Sequence, residues 1–78
     1  MGVLELVQKV RVGESGRISW DDLYPPTHDA MPDFGAFQLD FRELERLEQQ
    51  RIIQIKRVER EEAWPERPVA AVAFRRLM

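Results

Sequence analysis

The 78 residues carry 12 basic and 14 acidic side chains, a net charge of −2, with 44% hydrophobic and 33% charged residues. This is the balance of one small folded domain; it argues against a disordered chain and against a domain built chiefly to grip phosphates. There is no cysteine, so neither a disulfide framework nor a thiolate zinc site can brace so small a core.

The opening stretch, MGVLELVQKV, has Glu5 within its apolar part and no basic leader, so a signal peptide is not expected. No apolar run approaches the ~18 residues of a membrane span, and a cytoplasmic address follows as the default. Leu6 and Val7 stand where a myristoylation motif wants Ser or Thr. Val3 to Val12 reads two ways. Leu4, Leu6, Val10 and Val12 alternate as in a strand, while Val3, Leu6, Val7 and Val10 share a helical face. The four valines tip this reading towards a strand. Gly13-Glu14-Ser15-Gly16 then makes a turn, with a glycine at each end for unusual dihedrals.

Arg17 to Ser19 is short and strand-like. Ser19 followed by Trp20, Asp21 and Asp22 is a capping box, and Ile18 with Leu23 makes the matching hydrophobic staple. Pro25-Pro26 must end that helix early. Tyr24 to Phe37, YPPTHDAMPDFGAF, reads as an irregular loop because of its three prolines and its glycine. Tyr24, Met31, Phe34 and Phe37 either form a docking edge or fold back onto the core, and the second reading is preferred for so small a domain. The same cap-and-staple pattern recurs at Leu39, Asp40, Glu43 and Leu44, so a second helix is expected to open at Asp40. Its apolar face is Phe41, Leu44 and Leu47.

That helix cannot run on to Ala63. Glu48, Arg51, Glu59 and Glu62 would fall in the apolar arc, and burying four charges is costly. A helix to about Gln50 followed by a strand resolves the conflict, since Ile53 and Ile55 alternate with Gln54 and Lys56. Glu61 to Pro68 then connects to a return strand over Val69 to Leu77, closing a hairpin. A helix from Pro68 is the alternative for that last segment.

The fold class expected is therefore α+β. The passage LERLEQQRIIQIKRV, from Leu44 to Val58, resembles the winged-helix family's transition from its third helix into the wing. The family has a Leu-Glu pair, two variable residues, a glycine and an aliphatic pair; Leu47-Glu48-Gln49-Gln50 and Ile52-Ile53 match, and Arg51 replaces the glycine. GRISWDDL, from Gly16 to Leu23, is similar to the family's first strand running into its second helix. The resemblance implies a small winged-helix-like domain with a C-terminal β-hairpin. A β-hairpin, helix, β-hairpin arrangement is the alternative if Val3 to Val12 is a strand.

Catalytic signals are weak. His28, Asp29 and Asp33 in the loop read as ordinary solvated residues rather than a metal set. Asp21 and Asp22 diverge on a helix and already serve the cap; Ser15 and Ser19 lack an activating partner, and no glycine pattern matches a phosphate cradle. A non-enzymatic binding module without cofactor or metal is expected. Its candidate contacts are Arg42, Arg46 and Gln49, which share a helical face, with Lys56, Arg57, Arg60 and Trp64 on the hairpin. The acidic balance puts a larger protein partner first. One such partner is a nucleic-acid-binding protein whose basic groove the domain would cover, as small phage-encoded inhibitors of similar size and acidity do. The winged-helix resemblance implies DNA, with the second capped helix in the major groove, as the alternative. A homodimer would relieve the small core under either reading.

Overall fold

The computed structural model describes residues 2–24 and 34–78. Met31, His28, Asp29, Asp33 and most of the expected loop lie outside the described residues. The elements run α1 (Val3–Gln8), β1 (Ser15–Ser19), α2 (Trp20–Leu23), α3 (Phe34–Gln49), β2 (Ile53–Arg60) and β3 (Val69–Arg76). The strands form one antiparallel sheet in the order β1-β3-β2. Three helices with this sheet make an α+β domain, compatible with a small winged-helix-like fold.

The first segment is a helix, not a strand, so the β-hairpin, helix, β-hairpin alternative falls. Val3 and Val7 are buried and Leu6 and Val10 pack beside them. Of the two faces the sequence offers, burial selects the helical one. Arg76 supplies what valine propensity lacks: its guanidinium donates to the carbonyls of Gln8 (3.0 Å) and Val10 (2.7 Å). A cation at a helix C-terminus satisfies orphan carbonyls and complements the dipole. Of the two turn glycines, only Gly13 uses a left-handed φ, +89°. Gly16 lies within β1, where a Cβ would stand 2.6 Å from Val10 Cγ2 and 3.0 Å from Phe74 Cζ. It is a close-approach glycine, letting the end of α1 reach the sheet.

At α2 the expected capping box is present. The Ser19 N–H donates to Asp22 Oδ2 at 2.8 Å, and the Ser19 hydroxyl lies between the carboxylates of Asp21 and Asp22. The third helix differs from expectation at its start: it opens at Phe34, not at Asp40. Asp40 is inside it, accepting a hydrogen bond from the Tyr24 hydroxyl at 2.6 Å. Leu39, expected to staple the cap, is instead 64% exposed. Phe34 and Phe37 are buried and extend the Leu44–Leu47 face backwards by two turns. That burial outweighs the poor helix propensity of Gly35 in the first turn.

The end of α3 falls where expected. Arg51 takes φ +60°, its N–H donates to Glu48 O (2.9 Å), and the Ile52 N–H donates to Leu47 O (2.9 Å). These two bonds make a Schellman motif with arginine in the glycine position. β2 follows at once. Ile53, Ile55 and Val58 all face the core, although strict alternation would turn Val58 outward. A bulge at Lys56, between Ile55 and Arg57, restores the register. The irregularity at Glu59/Arg60 does the same for Val69 and Val72 on β3, which is a strand and not a helix. Gln38 locks α3 to the sheet: its amide nitrogen donates to Val69 O (3.0 Å) and its oxygen accepts from Val69 N (3.1 Å).

Arg51→Gly is expected to raise unfolding stability by about 1 kcal/mol, because it removes the left-handed penalty while keeping both backbone bonds. Gly16→Ala should lower it by about 1–3 kcal/mol through overpacking against Val10 and Phe74. Urea denaturation of the two variants checks both, and an Arg51→Gly variant no more stable than the parent would contradict the Schellman assignment.

Candidate interaction surface

The inward face of α3 carries Phe34, Phe37, Leu44 and Leu47. Turning about 100° per residue, the opposite side presents Leu39, Arg42, Arg46 and Gln49, all exposed. Arg46 is held loosely by Glu43 at 3.5 Å, an exposed pair of small energetic weight. Asp40 and Glu48 are turned to internal duties, since Glu48 Oε2 accepts the Ile55 N–H at 2.8 Å. The middle of the stripe is therefore apolar and cationic, within a helix whose carboxylates lie to its sides.

The hairpin residues do not join this stripe into one surface. The row Ile18–Val72–Val58 faces the helices, so the adjacent row Arg17–Ala73–Arg57 faces solvent on the other side of the sheet. Arg57 thus lies across the domain from Arg42 and Arg46, and Lys56 is the bulged residue on the β2 edge. Arg60 donates from Nη1 to Arg67 O at 3.0 Å, within the hairpin connection. Trp64 does not project as a free tip. It is half-buried, edge-to-face on Phe34 with ring centroids 5.4 Å apart, and Trp20 meets Phe34 at the same separation from α2.

This Trp20–Phe34–Trp64 cluster has an electrostatic consequence. It ties the start of α2 and the hairpin connection to the N-terminal end of α3. Asp21 and Asp22 come with the first, Glu61, Glu62 and Glu66 with the second. Arg67 offsets Glu62 at 3.6 Å. Asp21 and Glu61 line, with Arg17 and Arg60, the cavity on the solvent face of the sheet rather than the α3 stripe. Sequence reading missed Leu39 as a surface residue because it placed the helix start too late. Counted from Phe34, Leu39 falls opposite Phe37 and Leu44, which is the signal that would have found it.

On the solvent face of the sheet, a cavity of about 320 Å³ is lined by Arg17, Ser19, Trp20, Asp21, Glu59, Arg60, Glu61, Ala70 and Ala71. Its charges are engaged with one another and with backbone. Arg17 Nε meets Glu59 Oε2 at 2.7 Å, Arg57 lies 3.6 Å from the same carboxylate, and Glu61 accepts from Ala63 N. The Arg17 hydrogen bond, more than any other influence, holds the Glu59 carboxyl below the ordinary glutamate range, and the same bond raises the Arg17 guanidinium. Among the described residues no group of three or more His, Cys, Asp or Glu side chains is placed to hold a metal ion. Nor is any helix there long and apolar enough to cross a membrane.

Searches of protein-family models, of curated proteins and of solved structures found no match to this chain.

A carboxyl whose folded pKa is depressed contributes stability that is present above its unfolded value and is lost as pH falls through its folded value. With both side chains at the surface the energetic effect is small, so the titration itself is the measurement. In an Arg17→Gln variant the Glu59 midpoint, followed by carboxyl NMR, should move up towards the ordinary range. An unmoved midpoint would show that Arg17 is not the cause.

Proposed function

We propose that the domain is a non-catalytic binding module that regulates or inhibits a larger protein partner by docking the outward face of α3. The observation that carries this reading is the exposed stripe itself, where Leu39 stands beside Arg42 and Arg46 with Glu43 and Glu45 on its flanks. A duplex taking this helix into its groove would bring phosphates against Glu43 and Glu45 as well as Arg42 and Arg46, which Coulomb repulsion opposes. A protein surface can meet both signs. It would offer carboxylates to Arg42 and Arg46, an apolar recess to Leu39 and basic groups to the flanking Glu43 and Glu45. The basic groove of a nucleic-acid-binding protein has the last of these features.

DNA binding is the second reading, and two observations favour it. The element order and the β1-β3-β2 sheet are compatible with a winged-helix arrangement. Arg42, Arg46 and Gln49 also line one exposed face, and arginine and glutamine are residue types that read base edges.

The two readings separate in one set of measurements. Immobilised protein is exposed to extract from its native host, and in parallel titrated with random duplexes at two salt concentrations. The protein reading expects a stoichiometric partner that is lost on Leu39→Asp and on the double change Arg42→Glu/Arg46→Glu, with no duplex binding. Salt-dependent duplex binding abolished by the same double change, with no protein partner recovered, would replace it by the DNA reading.

A further inference from the structure

The two edges of the sheet are unequal. The β2 edge is defended: a bulge leaves Lys56 unpaired, and Glu48 occupies the Ile55 N–H at 2.8 Å. Bulges, charges and capped donors are devices that stop a sheet edge from recruiting another strand. β1 has fewer: it carries no bulge, its one charged residue is Arg17, and only its last N–H, at Ser19, is capped. All five of its residues pair with β3 in unbroken register, from Ser15↔Arg75 to Ser19↔Ala71.

The phase of that ladder identifies the groups left over. Arg76 N donates to Glu14 O at 2.9 Å, so Glu14, Gly16 and Ile18 bond towards β3. The Ile55 N–H, turned away from β3 to Glu48, gives the same phase independently, because Ile55 and Gly16 both oppose Phe74. Ser15, Arg17 and Ser19 therefore direct their N–H and C=O groups outward. The Ser19 N–H is already taken by Asp22 at 2.8 Å. Among the described residues, the N–H and C=O of Ser15 and Arg17 have no backbone partner.

We propose that β1 pairs antiparallel with β1 of a second copy about a two-fold axis, joining the two sheets into one. The free groups select a single register. Ser15 lies opposite Arg17 of the second copy, and Gly16 meets its own counterpart on the axis. All the outward groups of Ser15 and Arg17 on both copies are then paired. The next register, centred on Arg17, fails twice: it sets Arg17 against its own charge and requires the Ser19 N–H that Asp22 holds. The selected register puts a serine beside each Arg17, leaves the Arg17–Glu59 bridge on the solvent face, and sets on the axis a residue, Gly16, with no side chain of its own. This interface is distinct from the α3 stripe and does not depend on the partner reading.

The test is solution mass against concentration. Sedimentation equilibrium should show the mass rising from one chain towards two as the protein is raised to about 1 mM, the weak end of specific association. Ser15→Pro removes an outward N–H at an edge position where proline is tolerated. It should stay at single-chain mass with an unchanged circular dichroism spectrum, whereas Arg42→Glu/Arg46→Glu should associate like the parent. A parent that remains single-chain throughout overturns the proposal, as does a folded Ser15→Pro variant that still dimerises. Should Ser15→Pro fail to fold, the absence of native cysteine provides the second arm. A Ser15→Cys/Arg17→Cys variant oxidised at high concentration should give a covalent dimer linked between positions 15 and 17 of different chains. Failure of that linkage overturns the pairing. So does a single-chain parent that instead captures a strand of another protein at β1.

Discussion

The chain must leave α3 and enter β2 within three residues, and the left-handed backbone at Arg51 is the means. With Arg51 at φ +60° the Ile52 N–H turns back to Leu47 O, and Ile53 starts β2 with its side chain in the core. A strand's faces alternate, so displacing that start by one residue would turn Ile53 and Ile55 to solvent. The same turn sets the direction in which α3 crosses the sheet. At the other end of the helix, the Gln38 amide grips both backbone groups of Val69, the first residue of β3. Two fixed points on one helix leave little freedom in its roll. The outward stripe of Leu39, Arg42, Arg46 and Gln49 is thus set by backbone geometry at positions that never touch it.

The sheet depends on the same economy of backbone groups. β3 lies between the other two strands and uses alternate residues for each neighbour. Its apolar residues at Val69, Val72 and Phe74 are not evenly spaced, so a regular strand could not bury all three. The irregularity opposite Glu59/Arg60 reconciles them and adds twist where the hairpin connection begins. That brings Trp64 within reach of Phe34. Packing in the core, through the bulge, determines where the acidic hairpin connection sits relative to α3. Charge placement here is a consequence of register rather than a separate feature.

Much of this was legible in the residues. The Ser19–Asp22 box, the break after Gln50 and the hairpin all rest on short-range chemistry: a side chain within reach of a backbone donor, or charges that cannot be buried. What was illegible depended on contacts distant in sequence. The helicity of Val3 to Gln8 rests on Arg76, nearly the whole chain away, and on a niche at Gly16. The start of α3 was misplaced because Leu39, Asp40 and Glu43 mimic a cap. Phe34 and Phe37 declare themselves helical only once Trp20 and Trp64 are in place around Phe34. Of the site, the sharing of a face by Arg42, Arg46 and Gln49 was legible from period alone. The separation of Arg57 from them was not, because it needs the register of β2 and the bulge at Lys56.

The position of the acids relative to α3 matters more than their number. Net charge of −2 on a domain this size is unremarkable, and many surfaces of that balance carry a cationic face. Here Glu43 and Glu45 flank the outward stripe of α3 on either side. Between them Arg42 and Arg46 stand beside an exposed leucine, with Glu43 3.5 Å from Arg46. Screening over roughly 8 Å at physiological salt confines each group's influence to its own neighbourhood, so the stripe presents separate positive, apolar and negative zones to whatever approaches. A uniform polyanion is matched by only one of these zones, whereas a folded surface with its own alternation can satisfy all three at once. That alternation along one helix is what supports the proposed reading of the α3 face as a protein-docking surface.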